Sequence, residues 1–148
     1  MLIEKLKRLE AKYKDWTIEN IGIYIVGLQA IFYLLILSGI ISLESLLLIP
    51  SKIIGEGQIW RLFTFGFIPP AIPDLGMGLL YLIINWYVFV IISQYLEAYW
   101  GSFLFNLYCL FVFSLSIIAA FLIFFIPSDF LIFINPQVFF YSFFFIIF

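Results

Sequence analysis

Side chains that could carry out chemistry are sparse in this chain. Arg61, in the stretch GQIWRLFTF, is the last basic residue, Lys52 is the last lysine, and there is no histidine. A serine becomes a nucleophile when a neighbouring base, usually imidazole, takes its proton. Because the later part of the sequence contains neither histidine nor lysine, these residues cannot supply serine-hydrolase chemistry.

Other catalytic and ligand-binding chemistries also lack their residues. Asp74 and Asp129 lie at the ends of apolar segments, whereas two catalytic aspartates would have to converge inside the membrane. Cys109 is the single cysteine, and with no histidine it cannot form a zinc site. The glycines of GEG and GMG lack the context of a phosphate-binding loop. We therefore expect no enzymatic activity, no metal and no cofactor.

The composition indicates a membrane protein. Hydrophobic residues make up 66 % of the 148 positions and charged residues 11 %, with a mean hydropathy of +1.20. In soluble domains about a quarter of the residues are charged. Long uncharged apolar runs are typical of segments that cross a bilayer. We predict an all-α, polytopic transmembrane helix bundle, integral to a bacterial cell membrane, with lipid as its immediate partner.

Residues 1–19 have the pattern of an amphipathic helix. Apolar residues recur three or four positions apart, at Leu2, Leu6, Leu9, Tyr13 and Trp16. The other faces are charged and include five of the seven basic residues, Lys5, Lys7, Arg8, Lys12 and Lys14. The segment is either a solvated helix that leads into the membrane or, as we favour, a helix on the lipid headgroups. Its basic residues predict a cytoplasmic N-terminus. The membrane explains them better than nucleic acid, which we do not expect to bind.

Residues 20–148 form the predicted transmembrane domain. A bilayer core of about 30 Å needs about 20 helical residues, and three runs meet this length, at about 21–41, 75–93 and 103–126. The stretch QYLEAYWGS, between the second and third runs, is predicted to lie in the cytoplasm. The last segment, 130–148, is either a fourth span cut short at its C-terminal end or a segment that enters the membrane without crossing.

The connection over residues 42–74 is long and apolar for a loop. SLESLLLIP and IWRLFTFGFI carry enough Leu, Ile and Phe to lie in the membrane interface. We expect short helices at membrane level on the side opposite the N-terminus, because an apolar connection of this kind is unsuited to water.

Six residues have the types, order and spacing of a known family. These are Trp60, Arg61, Thr64, Asn85, Glu97 and Gly101. The sequence resembles the rhomboid-like superfamily, which includes rhomboid intramembrane proteases and inactive relatives such as the Derlins. In that family the Trp-Arg pair and a nearby Thr lie in the first outer loop. The Asn lies in the second helix, and the Glu and Gly close that helix. The resemblance covers roughly residues 20–126.

The resemblance implies the N-terminal half of a rhomboid-like fold, without its catalytic parts. Active members have a Gly-x-Ser-Gly turn and a later histidine, and they usually carry another histidine where Tyr81 stands here. Ser142, in FYSFFF, has no adjacent glycine. The resemblance therefore implies a pseudoprotease that binds transmembrane segments of other proteins without cutting them. A truncated piece of an active protease and a plain structural multi-pass protein are the alternatives.

Physical chemistry gives each motif residue a structural role. Arg61 needs carboxylates, backbone carbonyls or phosphates around its guanidinium, and Glu56 and Asp74 are within reach along the chain. Trp60 suits an interface, and the Trp-Arg pair could also be a simple membrane anchor. Asn85, in the middle of a span, should bond to a neighbouring helix. Glu97 is expected to brace the helix end beside Gly101.

Overall fold

The computed structural model describes residues 12–13, 17–70 and 76–125, and every regular element in these ranges is a helix. The all-α class predicted from the sequence is therefore confirmed for the described residues. In chain order the elements are α1 (Ile21–Leu37), α2 (Leu43–Leu46), α3 (Pro50–Glu56), α4 (Arg61–Thr64), a 3₁₀ helix (Phe65–Phe67), α5 (Met77–Trp100) and α6 (Ser102–Phe124). Most of the predicted N-terminal helix and the whole last segment, 130–148, lie outside the described residues.

Two helices, α5 and α6, are long and apolar enough to cross a bilayer by length and composition. They have 24 and 23 residues, and at 1.5 Å per residue each is about 35 Å long. In their most apolar windows 17 % and 22 % of the residues are buried, whereas a core helix of a soluble protein is mostly buried. This exposure favours a membrane environment for both helices.

Helix α1 is apolar but shorter than the predicted span over 21–41, because a glycine ends it. Gly39 adopts φ +74° and donates its N–H to the Ile36 carbonyl, while the Ile40 N–H reaches the Leu35 carbonyl. This pair of hydrogen bonds is the Schellman motif, in which a left-handed residue stops a helix. The 17 residues of α1 therefore reach only about 26 Å.

Helix α5 is longer than predicted and contains most of QYLEAYWGS. The predicted span ended near residue 93, whereas the helix continues to Trp100, and Glu97 and Gly101 lie at its end as the resemblance implies. Gly101 makes the turn alone, with φ +85° and its N–H donated to the Glu97 carbonyl, and α6 begins at the next residue. Glu97 is therefore a helical residue in the last turn of α5.

The connection between α1 and α5 folds back onto the helices. Pro50 begins α3, where its missing N–H costs no hydrogen bond, and Gly57 ends it with φ +69°. Phe65, in the 3₁₀ helix, stacks on Phe113 of α6 with ring centroids 4.7 Å apart. A side chain on Gly66 would place its Cβ 2.8 Å from that ring. The connection thus closes over one end of the bundle.

The core lies where α1 and α6 pack against α5 and where the connection covers them. Its buried apolar side chains are Leu46, Leu48, Phe65, Ile68, Leu96, Phe105, Cys109, Val112 and Ala120. Helices α1 and α5 approach closely at Gly22, because a Cβ there would lie 2.1 Å from Ser93 Oγ. Small residues at helix interfaces are typical of membrane bundles, since they let the backbones approach.

Candidate functional site

Arg61 is buried at the start of α4 and holds two turns of the connection together. Its side chain is 3 % exposed. Its Nη1 donates to the Glu44 carbonyl at 2.6 Å and to the Leu47 carbonyl at 2.8 Å. Its Nε donates to Gln58 Oε1 at 2.5 Å. The planar guanidinium therefore satisfies carbonyls at the end of α2 that have no helical partner of their own.

Thr64 extends this arrangement by one more carbonyl. Its Oγ1 donates to the Leu46 carbonyl at 3.3 Å, next to the carbonyl bound by Arg61. We call the side chains of Gln58, Arg61 and Thr64, with the α2 carbonyls they bind, the Arg61 clasp. Trp60 takes no part through its ring, which is 53 % exposed. Arg61 and Thr64 fix the connection, while the neighbouring indole points outward.

The partners predicted for Arg61 were partly wrong. Backbone carbonyls hold the guanidinium, and Glu56 is linked to it only through Gln58, whose Nε2 donates to Glu56 Oε2 at 2.5 Å. Asp74 lies outside the described residues. The ion pair in this region joins Lys52 Nζ and Glu44 Oε1 at 2.6 Å, on the exposed surface. Hydrogen bonding and attraction from Lys52 lower the pKa of the Glu44 carboxyl below its ordinary value of 4.5.

Asn85 does not make the interhelical bond expected of it. Its Nδ2 donates to the Tyr81 carbonyl of its own helix at 2.8 Å. The next residue makes the contact between helices instead, because Trp86 Nε1 donates to Gln29 Oε1 of α1 at 2.9 Å. Gln29 is 3 % exposed, and its Nε2 lies 3.4 Å from the Gly66 carbonyl, which accepts its hydrogen bond.

The chain from Trp86 through Gln29 to Gly66 was missed in the sequence. Gln29 is the single amide in an uncharged apolar run, and this isolated polar residue was the available signal. Non-helical backbone at membrane depth is tolerated where protein covers it and satisfies its carbonyls. Gln29 meets both needs for the 3₁₀ helix, so it belongs with the residues that position the connection.

Glu97 joins three helix ends at the other end of α5. Its Oε1 accepts the backbone N–H of Asn20, just before α1, and the Ser102 hydroxyl at the start of α6, each at 2.8 Å. Asn20 has φ +56°, a conformation that asparagine tolerates and that turns the chain into α1. Gly101 places Ser102 close enough to donate. Glu97 and Gly101 therefore brace this end of the bundle.

The six motif residues occupy separate places. Arg61 and Thr64 lie in the clasp, whereas Glu97 and Gly101 lie at the far end of α5, and Asn85 is about 18 Å along the helix from Glu97. Among the described residues, no group of three or more His, Cys, Asp or Glu side chains could hold a metal ion. The arrangement binds backbone and positions helices, and the hydroxyl that meets a carboxylate, Ser102 on Glu97, joins the ends of α5 and α6.

Searches against protein-family models, curated proteins and solved structures find no match to this chain. The comparisons therefore add nothing to the class that the fold defines, which over the described residues is all-helical with two candidate membrane-spanning helices.

Proposed function

We propose that this chain is a rhomboid-like pseudoprotease, an integral membrane protein that holds transmembrane segments of other proteins without cutting them. The family part of the proposal rests on the six motif residues and their order. The binding part rests on one surface of α5, described next.

The outer face of α5 carries the proposal. Six exposed residues recur at alternating spacings of four and three, namely Leu80, Ile84, Tyr87, Ile91, Gln94 and Ala98. This is the spacing with which one helix packs along another at a shallow angle. Two of the six, Tyr87 and Gln94, are polar, and Tyr87 is 67 % exposed. Polar groups that face hydrocarbon are costly unless a neighbouring helix bonds them.

Tyr87 and Gln94 are seven residues apart and therefore share one side of α5. Tyr87 is about 20 Å from the Trp100 end of the helix, near the middle of a bilayer. A partner helix with a polar side chain at that depth would pair with the Tyr87 hydroxyl. A segment of leucine alone would leave it unpaired, which gives this face a preference among transmembrane helices.

The Arg61 clasp supports the same function indirectly. It holds the turns of the connection together through backbone carbonyls. We therefore expect the connection to keep one position against the apolar helices and to leave the outer face of α5 uncovered. The sequence has no histidine and no Gly-x-Ser-Gly turn, which favours holding over cleavage.

The test measures binding to two defined peptides. The full chain, labelled on an exposed residue of the connection, is reconstituted into phosphatidylcholine vesicles with a labelled transmembrane helix of leucine. A second sample contains the same peptide with one central asparagine. We expect energy transfer to report about threefold tighter binding of the asparagine peptide, the ratio that an average interhelical hydrogen bond in a membrane gives.

Substitutions on the outer face of α5 test whether this face causes the preference for the asparagine peptide. Tyr87→Phe and Gln94→Leu should each reduce it, and the double variant should bring the ratio to one. Phe111→Leu is the matched control, since Phe111 is a similarly exposed residue on α6 (59 %). An unchanged ratio in the double variant would refute the proposal. Equal transfer between two labelled copies of the chain would favour the structural alternative, and cut peptide would favour the protease fragment.

A further inference from the structure

At the end of the bundle where α5 meets α6, two buried oxygens have no hydrogen-bond donor among the described residues. They are Glu97 Oε2 and Asn106 Oδ1, and both are closed to solvent. Glu97 is 9 % exposed, and its two hydrogen bonds both reach the other oxygen, Oε1. An unsatisfied buried acceptor costs about 1–3 kcal/mol, and more when it is charged. Two unsatisfied acceptors in one region could therefore accept hydrogen bonds from a positively charged donor.

Helix geometry places these two groups on the same side of α6. Ser102 and Asn106 are four residues apart, so they are neighbours on one helix face. Ser102 Oγ lies 2.8 Å from Glu97 Oε1, so Asn106 follows one turn later on the face that Glu97 contacts. The hydrogen bonds of Arg61 and the ion pair of Lys52 lie in the connection at the other end of the bundle. Neither Arg61 nor Lys52 therefore neutralises the Glu97 carboxylate.

An apolar groove of about 300 Å³ opens beside Asn106. Its walls are Tyr13, Thr17, Phe103, Asn106, Leu107 and Leu110. Tyr13 stacks on Phe103 with ring centroids 6.1 Å apart and closes one side. The groove follows the first turns of α6 for about 10 Å. It thus begins at the helix end, at headgroup level for a spanning helix, and descends along apolar side chains.

A cation lies near the rim of the groove. Lys12 Nζ is 5.4 Å from the centre of the Tyr13 ring. The groove therefore offers a positive charge near its rim, the Asn106 amide on one wall and an apolar floor. This order matches a zwitterionic lipid, with its phosphate near Lys12, its ammonium near Asn106 and an acyl chain along Leu107 and Leu110.

We propose that this groove binds a phospholipid whose headgroup carries a primary ammonium, as phosphatidylethanolamine does. The ammonium donates to Asn106 Oδ1, and the buried Glu97 carboxylate attracts its charge. On binding, the Asn106 amide rotates so that its oxygen, which is closed to solvent in the structure, faces the groove that its side chain already lines. A choline headgroup has the same charge but no N–H to donate, so the site distinguishes the two lipids. This site is independent of the outer face of α5 and of the function proposed above.

The test compares two lipids that differ only in the headgroup. The full chain in detergent is mixed with equal amounts of phosphatidylethanolamine and phosphatidylcholine with identical acyl chains, and native mass spectrometry counts the lipids retained. We expect about a tenfold preference for phosphatidylethanolamine, as one hydrogen bond to a charged group gives. Asn106→Leu should reduce the ratio to about one. Ser114→Ala removes an exposed hydroxyl on α6 outside the groove and should leave the ratio unchanged.

A second variant keeps the test decisive if Asn106→Leu does not fold. Leu107→Trp fills the groove from a side chain that is 49 % exposed, and it should lower retention of both lipids. Equal retention of the two lipids by the unmodified protein would overturn the proposal, as would a preference that survives in either folded variant. Stabilisation by sodium chloride alone, lost in Asn106→Leu, would identify an inorganic cation site and would also overturn it.

Discussion

At the scale of single residues, the guanidinium of Arg61 is held by carbonyl dipoles. The hydrogen bonds of its side chain among the described residues go to two backbone carbonyls and an amide oxygen. A carbonyl ligand fixes the path of the chain, whereas a carboxylate ligand would fix only a side chain. Arg61 therefore acts on backbone geometry, and its removal leaves the Glu44 and Leu47 carbonyls without their donor.

The first prediction concerns Arg61→Ala. The loss of two hydrogen bonds from a charged donor should cost about 3 kcal/mol in total, so the thermal midpoint in detergent should fall by several degrees. Arg61→Lys should recover part of the loss, because an ammonium donates but cannot fork between carbonyls. Lys52→Ala is the matched control, a basic residue of the same connection in an exposed ion pair with Glu44. Such pairs contribute about 0–1 kcal/mol. Equal shifts for Arg61→Ala and Lys52→Ala would contradict the role of the clasp.

At the scale of elements, glycines set where the helices end. Gly39 ends α1 in the left-handed region, with φ +74°. Gly101 lies between α5 and α6 with φ +85° and ψ 153°. The second conformation is one that almost only glycine adopts. The one-residue turn between the two long helices therefore depends on the absence of a side chain at position 101.

The second prediction ranks three glycine-to-alanine variants by apparent thermal stability. Gly101→Ala should cost about 3 kcal/mol, and Gly39→Ala about 1 kcal/mol. Gly27→Ala is the control inside α1, where an added Cβ meets nothing within 4 Å. Alanine there should be neutral or stabilising by about 0.5 kcal/mol, because glycine is a poor helix residue. A Gly101→Ala protein as stable as the Gly27→Ala protein would show that the turn tolerates a side chain.

The sequence predicted the long helices but not the contacts between them. Uncharged apolar runs predicted α5 and α6 because their length has to match a bilayer. The apolar span was ended near residue 93, whereas α5 continues to Trp100, because a helix can bury a charged group such as Glu97 against Asn20 and Ser102. The partners of Gln29 could not be predicted, because Gly66 is 37 residues away and no periodic pattern connects them.

At the scale of the whole molecule, α5 separates two polar ends. The Arg61 clasp lies in the connection that precedes α5, and the Glu97 brace lies in its last turn. The 24 residues of α5 extend about 36 Å, more than the roughly 30 Å of a hydrocarbon core. Glu97 also binds the backbone at Asn20, where α1 begins, so α1 and α5 run in opposite directions. A bilayer crossed by α5 would therefore have the clasp on one side and Glu97 on the other.

The last prediction is that Glu19 and Glu56 lie on opposite sides of the membrane. Both are exposed, Glu19 just before α1 and Glu56 at the end of α3. Each is replaced by cysteine in a Cys109→Ala background, so that one thiol is present, and intact cells are treated with a membrane-impermeant maleimide. The basic N-terminal segment predicts Glu19 in the cytoplasm, so Glu56→Cys should react at once and Glu19→Cys only after the cells are opened. Replacing Cys109 is acceptable because it is a small buried side chain, and circular dichroism checks that the background folds.

Labelling of both positions in intact cells would mean that α1 does not separate the connection from the N-terminal segment. The clasp and the brace would then share one side, and a membrane-crossing α5 would be excluded.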